Sequence, residues 1–252
     1  MELILVLVIG MMGASIFSFL NVVVYRFPRK ISFVKGMSKC ESCGHRLYLW
    51  DMVPIFSWFI LGGKCKYCHA KISIRSPLVE LLGGVCLILL LYYYGYTPKM
   101  ALLFVFFSLL TVIALIDQDT MEIPNEFVII SLVVGLVSLG IFTQPSLFSR
   151  ILGIFVISVP MLVLALVIPG AFGGGDIKLM AACGILLGVK LELIATFIAI
   201  MLGGSYGAIL LMTKKKDRKD HFAFGPFLCI GMAVSILWGN SLVNWYLALY
   251  GL

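Results

Sequence analysis

Long apolar stretches with few charges constrain this chain more than any other feature of its sequence. Residues 3–25 contain no charged side chain, and the first basic residues, Arg26, Arg29 and Lys30, come after this run. The chain is 62% hydrophobic and 12% charged, compared with roughly 45–50% and 25% in soluble domains. This composition excludes a water-soluble globule. The run is also unlike a cleaved signal peptide, in which basic residues precede the apolar segment.

Seven further apolar stretches follow, and together with the first they predict an all-α polytopic membrane protein of about eight transmembrane helices. They cover residues 78–96, 100–117, 125–143, 148–169, 177–189, 191–213 and 222–250. The stretch 177–189 is short for a full crossing and contains Gly184 and Gly188. We therefore expect it to be tilted, broken or enclosed by neighbouring helices.

Sixteen of the nineteen lysines and arginines lie in loops that share one side of the membrane if the spans alternate in direction. Lys and Arg near span ends are retained in the cytoplasm, so this side is predicted to be cytoplasmic. The loop 26–76 carries ten of them, the tract 214–221 carries five and Lys178 is the sixteenth, whereas Lys99, Arg150 and Lys190 fall on the other side. The net charge of +7 thus comes from a basic rim at the cytoplasmic face, which suits anionic lipid headgroups. No nucleic-acid partner is expected.

The loop 26–76 contains two Cys-x-x-Cys pairs, Cys40 with Cys43 and Cys65 with Cys68. Each two-residue spacer lets a turn direct both thiols at one metal ion, so the four cysteines predict a tetrahedral structural zinc site. Disulfides and a redox switch are the alternatives, and a reducing cytoplasmic location disfavours structural disulfides. A loop of this size builds little core of its own, and metal binding can supply the missing folding free energy.

The segment 48–63 of this loop is apolar, too short to span a bilayer and broken by Pro54. It is predicted to lie at the membrane interface with Trp50 and Trp58 near the headgroups. The predicted organisation is a first transmembrane helix at 1–25, a zinc-binding cytoplasmic loop domain at 26–76 and a transmembrane domain at 77–252.

Two aspartates at span ends are the candidate chemical groups, because an ionisable residue in or at the end of a span is costly and marks function by default. Asp117 ends the third span, and Asp176 follows three glycines at the start of the sixth. Two adjacent carboxylates share a proton. One can then take a proton from water while the other donates a hydrogen bond to the oxyanion formed in peptide hydrolysis. Gly173 and Gly175 would let an extended peptide approach closely.

Other interpretations of these acids remain open at this point. Asp117 taken alone could be a structural cap of the following turn. Paired membrane acids also form proton or cation relays in transporters, although transporters place them near the bilayer midplane. A third possibility is a non-catalytic assembly factor that docks through its zinc loop.

Six segments resemble, in the same order, the motifs of the bacterial type IV prepilin leader peptidases, and the resemblance covers nearly the whole chain. The segments are SFLNVVVYRFP (18–28), DMVPIFSW (51–58), SIRSPLVELLGG (73–84), LIDQDTMEIPN (115–125), GGGDIKLMAACGILLG (173–188) and FGPFLCIG. The cysteine pairs flank the second segment, as they do in that family. A member of this family is expected to be a GxGD-type intramembrane aspartic peptidase.

The resemblance implies that Asp117 and Asp176 are the catalytic pair. It implies cleavage of a short basic leader from prepilin and pseudopilin precursors at the cytoplasmic face of the bacterial inner membrane. The new N-terminus would then be methylated with S-adenosylmethionine, for which no residues can be assigned. Candidate substrate-binding or supporting residues are Gly173, Gly175, Lys178, Asp119, Glu80 and Asn21. We expect Asp119, Glu122 and Glu126 to attract the lysines of the leader.

Overall fold

The computed structural model of the chain describes residues 2–32, 38–40, 42–168, 170–213 and 222–249. Apart from two isolated β-bridges, all regular secondary structure in these residues is helical. The basic tract 214–221 lies outside the described residues.

Nine α-helices and one short 3-10 helix occur in the described part of the chain. The α-helices are α1 (Glu2–Arg26), α2 (Phe56–Ile60), α3 (Arg75–Tyr94), α4 (Pro98–Thr120), α5 (Asn125–Ile141), α6 (Leu147–Val156), α7 (Ser158–Val167), α8 (Gly174–Met212) and α9 (Gly225–Leu249). The 3-10 helix covers Leu49–Met52. The chain divides into two compact units, Met1–Phe104 and Val105–Leu252.

In the first unit, α1 and α3 pack closely through glycines. A Cβ atom at Gly13 would collide with the carbonyl group of Gly83, and one at Gly84 would lie 2.8 Å from the carbonyl oxygen of Gly10. Lipid tails are as apolar as leucine side chains, so small residues that let backbones approach supply the packing energy between membrane helices. The glycines therefore explain why these two helices pair on either side of the cysteine loop.

In the second unit, the apolar stretch Leu147–Val167 is broken into α6 and α7 at Ile157. Pro160 lies in the first turn of α7 and has no N–H to donate to the carbonyl of Val156. Because the helix is broken at this point, the Val156 carbonyl needs no hydrogen bond from residue 160. The two short helices together are still long enough to count as one candidate span.

The nominal helix α8 comprises two helices that meet at Gly188, where φ is 65° and ψ is 174°. The Glu192 carboxylate oxygen Oε2 lies 2.7 Å from the position that a Cβ would take at Gly184. In a continuous helix the backbones of residues 184 and 192 would lie about 12 Å apart, beyond the reach of a glutamate side chain. The chain therefore reverses at Gly188, and we call the segments before and after it α8a and α8b.

Six of the described helical segments are long and apolar enough to cross a membrane, and Asn125–Ile141 is a shorter apolar helix. Because α8 contains two helices, these segments provide eight apolar helices. The predicted all-α membrane fold is confirmed, and of the possibilities for the stretch 177–189, tilted, broken or enclosed, the structure has a break at Gly188.

Candidate active site and metal centre

The four cysteines of the loop come together in one cluster, which we call the thiol cluster. The sulfur atoms of Cys40, Cys43, Cys65 and Cys68 all lie within 4.8 Å of one another, and Sγ of Cys40 is 3.7 Å from Sγ of Cys68. Tetrahedral zinc with Zn–S bonds of about 2.3 Å requires sulfur atoms about 3.8 Å apart. The cluster could therefore hold a metal ion, and its geometry fits zinc.

Two equivalent turns build the thiol cluster. The N–H of Gly44 donates to the carbonyl of Cys40, and the N–H of His69 donates to the carbonyl of Cys65, both at 2.9 Å. Gly44 and His69 both have positive φ, at 69° and 57°. Backbone N–H groups of Cys43 and Ser42 lower the pKa of the Cys40 thiol to about 6, which favours the thiolate form that metals bind.

Contacts of side chains around the cluster connect the loop segments. Asp51 accepts hydrogen bonds from the Tyr48 N–H at 3.1 Å and the Tyr67 hydroxyl at 3.0 Å, and it lies 3.7 Å from the Lys66 ammonium. The Tyr48 N–H, followed by the Tyr67 hydroxyl and Lys66, holds the pKa of Asp51 below its usual value. The His45 ring lies over the Tyr67 ring at 3.7 Å between centroids. His45 is thus a packing residue between the two turns.

Asp117 lies near the C-terminus of α4 and is only 5% exposed. Its Oδ2 atom accepts a hydrogen bond of 2.9 Å from the backbone N–H of Gly225, at the start of α9. A Cβ at position 225 would lie 2.5 Å from that oxygen. Only glycine therefore lets the backbone donate to Asp117 at this distance.

Asp176 lies in the first turn of α8a and is 7% exposed. Its Oδ2 atom accepts from the backbone N–H of Gly173 at 3.3 Å, whereas the buried Oδ1 atom has no hydrogen-bond partner among the described residues. The carboxylate is close enough to Asp117 for the two to interact electrostatically. The structure therefore brings the two predicted catalytic aspartates together, with one oxygen of Asp176 uncommitted. We call these two carboxylates and their backbone donors the aspartate site.

Ile123 lies between the segments that carry the aspartate site. A Cβ at Gly175 would lie 2.9 Å from the Ile123 Cβ, and one at Gly225 would lie 3.3 Å from its Cδ1 atom. By contrast, a Cβ at Gly174 would meet no atom within 4 Å. Gly175 thus permits a close contact with Ile123, and Gly173, where a Cβ would lie 3.1 Å from Asp176 Oδ2, permits another.

The remaining predicted residues of the second unit lie around this site in different ways. Lys178 donates a hydrogen bond of 3.0 Å to Oδ1 of Asn125, which connects the start of α8a to the start of α5. Asp119, Glu122 and Glu126 are all exposed. The three acids therefore have the accessibility that electrostatic attraction of a basic peptide requires.

Glu80 and Asn21 belong to the first unit and connect its segments. One oxygen of Glu80 accepts from the Ser18 hydroxyl and the other from the Ile55 backbone N–H, both at 2.7 Å. Ile55 has a φ of 65°, which is strained for a β-branched residue. The Asn21 amide donates to the carbonyl of Ser76 at 3.4 Å. These contacts tie the loop segment 51–58 to α1 and α3.

Aromatic side chains flank the aspartate site. The rings of Phe172 and Phe224, each next to a glycine that donates to an aspartate, lie 5.8 Å apart between centroids. Phe227 packs near Phe224 and against Tyr206. The half-buried rings of Phe172 and Phe224 offer an apolar surface beside two buried acids.

The helices and these residues define a multi-pass membrane protein with a pair of buried acids and a thiol cluster. Residues 104–208 match the model described as "Type IV leader peptidase family", and residues 11–94 match the "Bacterial Peptidase A24 N-terminal domain". No solved structure gives a significant match.

Curated relatives agree with these matches. A Bacillus subtilis protein named prepilin leader peptidase/N-methyltransferase is 31% identical over 222 residues, covering 88% of this chain and 90% of the relative. Proteins of the same name from Legionella pneumophila and Pseudomonas aeruginosa are each 28% identical, cover 96% of this chain, and are themselves covered to 94% and 93%. The chain therefore belongs to the type IV leader peptidase family. The transporter alternative has no support among these relatives.

Proposed function

We propose that this protein is an aspartic endopeptidase that removes the basic leader from prepilin-like precursors, with Asp117 and Asp176 as its catalytic residues. The observation that carries the proposal is that two buried carboxylates, each accepting a hydrogen bond from the backbone N–H of a glycine, lie close enough to interact electrostatically. The relatives' names identify prepilin leader peptidases.

In this mechanism the two carboxylates share one proton. The Gly225 N–H stabilises negative charge on Asp117, so Asp117 is the base that takes a proton from the attacking water. Asp176 has the uncommitted Oδ1 atom and carries the shared proton, which it donates as a hydrogen bond to the oxyanion. No nucleophilic serine or cysteine is required.

The surroundings of the site fit a precursor with a basic leader and a following apolar helix. The rings of Phe172 and Phe224 provide a surface for the apolar residue after the cleaved bond. The exposed Asp119, Glu122 and Glu126 attract leader lysines, each exposed pair contributing up to about 1 kcal/mol.

The thiol cluster is proposed to bind structural zinc through Cys40, Cys43, Cys65 and Cys68, and so to organise residues 26–76 as a loop domain. Four thiolates close the coordination shell, so the metal would stabilise the loop and take no part in the hydrolysis.

We further propose that this loop lies on the cytoplasmic face of the inner membrane. Its net positive charge and the exposed side chains of Trp50, Phe59 and Ile60 suit a surface of anionic headgroups. The cleavage reaction would take place at the same face.

N-methylation of the new terminus with S-adenosylmethionine is proposed from the relatives' names alone. A groove of ≈ 510 Å³ on α1 is lined by Leu7, Val8, Met11, Met12, Ser15 and Ile16. This lining has no charged group for the amino-acid part of the cofactor. We therefore assign no residue to methyl transfer.

Cleavage of a basic-leader prepilin by the purified full chain in liposomes tests the peptidase proposal. We expect Asp117→Asn and Asp176→Asn each to lower kcat by at least about a hundredfold, because each removes one partner of the acid–base pair. Asp119→Asn is the matched control and should keep kcat. A folded wild-type protein that does not cleave would contradict the proposal. Labelled S-adenosylmethionine in the same reaction tests methylation.

A further inference from the structure

Glu192 is a fully buried acid outside the aspartate site. It lies on α8b, one turn after the reversal at Gly188, and its side chain is 0% exposed. Neither carboxylate oxygen has a hydrogen-bond partner among the described residues. An ionised carboxylate without a donor in an apolar interior is among the most costly groups a protein can bury.

Arg150 is the buried basic residue closest in sequence to this crossing, and its donors are already used. Its guanidinium donates to the carbonyl oxygens of Pro145, Phe142, Gln144 and Ile185 and to the Ser138 hydroxyl, at 2.7–3.4 Å. All of these acceptors are uncharged. Arg150 therefore connects the ends of α5 and α8a to α6 and forms no ion pair with Glu192.

The carboxyl group of Glu192 lies at a crossing of backbones that presents acceptors. A Cβ at Gly184 would lie 2.7 Å from Oε2 of Glu192 and would also collide with the carbonyl oxygen of Gly153. A Cβ at Gly153 would lie 3.2 Å from the same Oε2 atom and 2.5 Å from the carbonyl oxygen of Gly184. Carbonyl oxygens can only accept, so a hydrogen bond at this crossing requires a carboxyl group that donates.

We propose that Glu192 carries its proton and donates a hydrogen bond to a backbone carbonyl where α6 crosses α8a. Glu192 thereby joins α6, α8a and α8b at one point. A neutral acid accounts for the missing donor, because it carries no buried charge. It also accounts for the nearby carbonyl oxygens, because it can donate to one of them, whereas an ionised carboxylate would be repelled.

This contact makes Glu192 a positioning residue for the peptidase. Asp176 lies in the first turn of α8a, and Gly184 lies two turns further along the same helix. A shift of α8a against α6 would move Asp176 relative to Asp117. This part of the inference rests on the proposed function, which assigns catalysis to those two aspartates.

Three proteins separate the possible roles of Glu192: the wild type, Glu192→Gln and Glu192→Met. Glutamine keeps the shape and can donate through its amide, whereas methionine fills a similar volume and cannot donate. We expect Glu192→Gln to keep kcat within about twofold. Glu192→Met should lower kcat about fivefold to tenfold at unchanged KM, the size expected for one lost hydrogen bond.

Infrared spectroscopy of the same proteins at neutral pH observes the proton directly. The wild-type minus Glu192→Gln difference spectrum should contain the carbonyl stretch of a protonated carboxylic acid. The corresponding difference for Glu126→Gln, an exposed glutamate, should contain only carboxylate bands. Absence of the protonated band from the Glu192 difference would overturn the proposal.

The kinetic outcomes are equally decisive. Wild-type kcat values in both variants would reduce Glu192 to a space-filling residue, and an equal loss of kcat in both variants would require a charged carboxylate. Either result contradicts the proposal. If the wild type does not cleave at all, the proposed function fails. The infrared spectra and the unfolding temperatures of the Gln and Met variants would still test the protonated hydrogen bond.

Discussion

The thiol cluster and the aspartate site differ in how the chain assembles them. Each half of the thiol cluster is a short turn that supplies two ligands three residues apart, and the two turns repeat the same backbone hydrogen bond. The aspartate site takes Asp117, Asp176 and Gly225 from three distant helix ends. The first arrangement depends on ligand identity. The second depends on how closely backbones approach, so the two regions should respond differently to mutation.

Removal of metal ligands should produce the largest effect. We expect a variant with Cys40→Ser and Cys65→Ser to lose its bound zinc, because apparent binding free energies of structural zinc sites, about 10–16 kcal/mol, require the full thiolate set. Elemental analysis of the purified protein measures the metal. Cleavage should fall no more than about tenfold, since the acids that carry out general acid–base catalysis remain.

A matched control for the cysteine variants is available in the same chain. Cys86→Ser changes a buried cysteine outside the thiol cluster and should keep the full metal content. If the double cysteine variant cleaved as slowly as Asp117→Asn, the distinction between a structural thiol cluster and a catalytic aspartate site would be contradicted. That result would show that the loop takes part in the hydrolysis itself.

Among substitutions that leave every carboxylate in place, the addition of a methyl group at position 225 should have the largest effect on cleavage. We expect Gly225→Ala to lower kcat by about a hundredfold, within the range for loss of an aligned general base. The added Cβ would lie 2.5 Å from Asp117 Oδ2 and displace either that carboxylate or the start of α9. Zinc content should stay unchanged.

Gly174→Ala is the control for Gly225→Ala, because its Cβ would meet no atom within 4 Å. Single-turnover cleavage of a prepilin compares the two. Equal kcat values in both variants would refute a role for the Gly225 N–H in holding Asp117.

Much of the fold could be predicted from the sequence, and the part that could was local. Apolar length alone predicted about eight helices, and a break was one of the three possibilities that Gly184 and Gly188 indicated for the stretch 177–189. The two Cys-x-x-Cys spacings likewise predicted the thiol cluster, because each turn is completed within a few residues. The sequence also singled out Asp117 and Asp176, and both are buried, while their catalytic role stays a prediction.

Long-range contacts could not be predicted in the same way. The motif FGPFLCIG indicated that its segment mattered, but no local pattern shows that the Gly225 N–H donates to a side chain 108 residues earlier. Glu192 lay in an apolar stretch, and its burial depends on the reversal at Gly188 and on contact with α6. Hydropathy describes each helix separately, whereas these contacts arise only when helices pack.

Disturbing the contact between Gly175 and Ile123 should have an intermediate effect on cleavage. We expect Gly175→Ala to lower kcat about tenfold, because a Cβ 2.9 Å from the Ile123 Cβ forces the start of α8a to shift, and overpacking costs about 1–3 kcal/mol. Ile123→Gly in the same chain removes the opposing Cβ and should restore part of the loss. A double-mutant cycle in kcat measures this coupling. Additive effects would contradict the contact.

The smallest expected effect is a difference in zinc affinity between substitutions in the two turns of the thiol cluster. Gly44 and His69 occupy equivalent positions with positive φ, but only one of them is glycine. Gly44→Ala has no atom within 4 Å to clash with, so its cost is the backbone strain alone, about 1 kcal/mol, or roughly a fivefold weaker zinc affinity. His69→Ala exchanges one non-glycine residue for another at an exposed site and should leave the affinity unchanged within about twofold. Competition with a chelator measures both. A loss of affinity for His69→Ala that equals the loss for Gly44→Ala would mean that the imidazole supports the metal site. The two turns would then share their backbone conformation and differ in the role of this side chain.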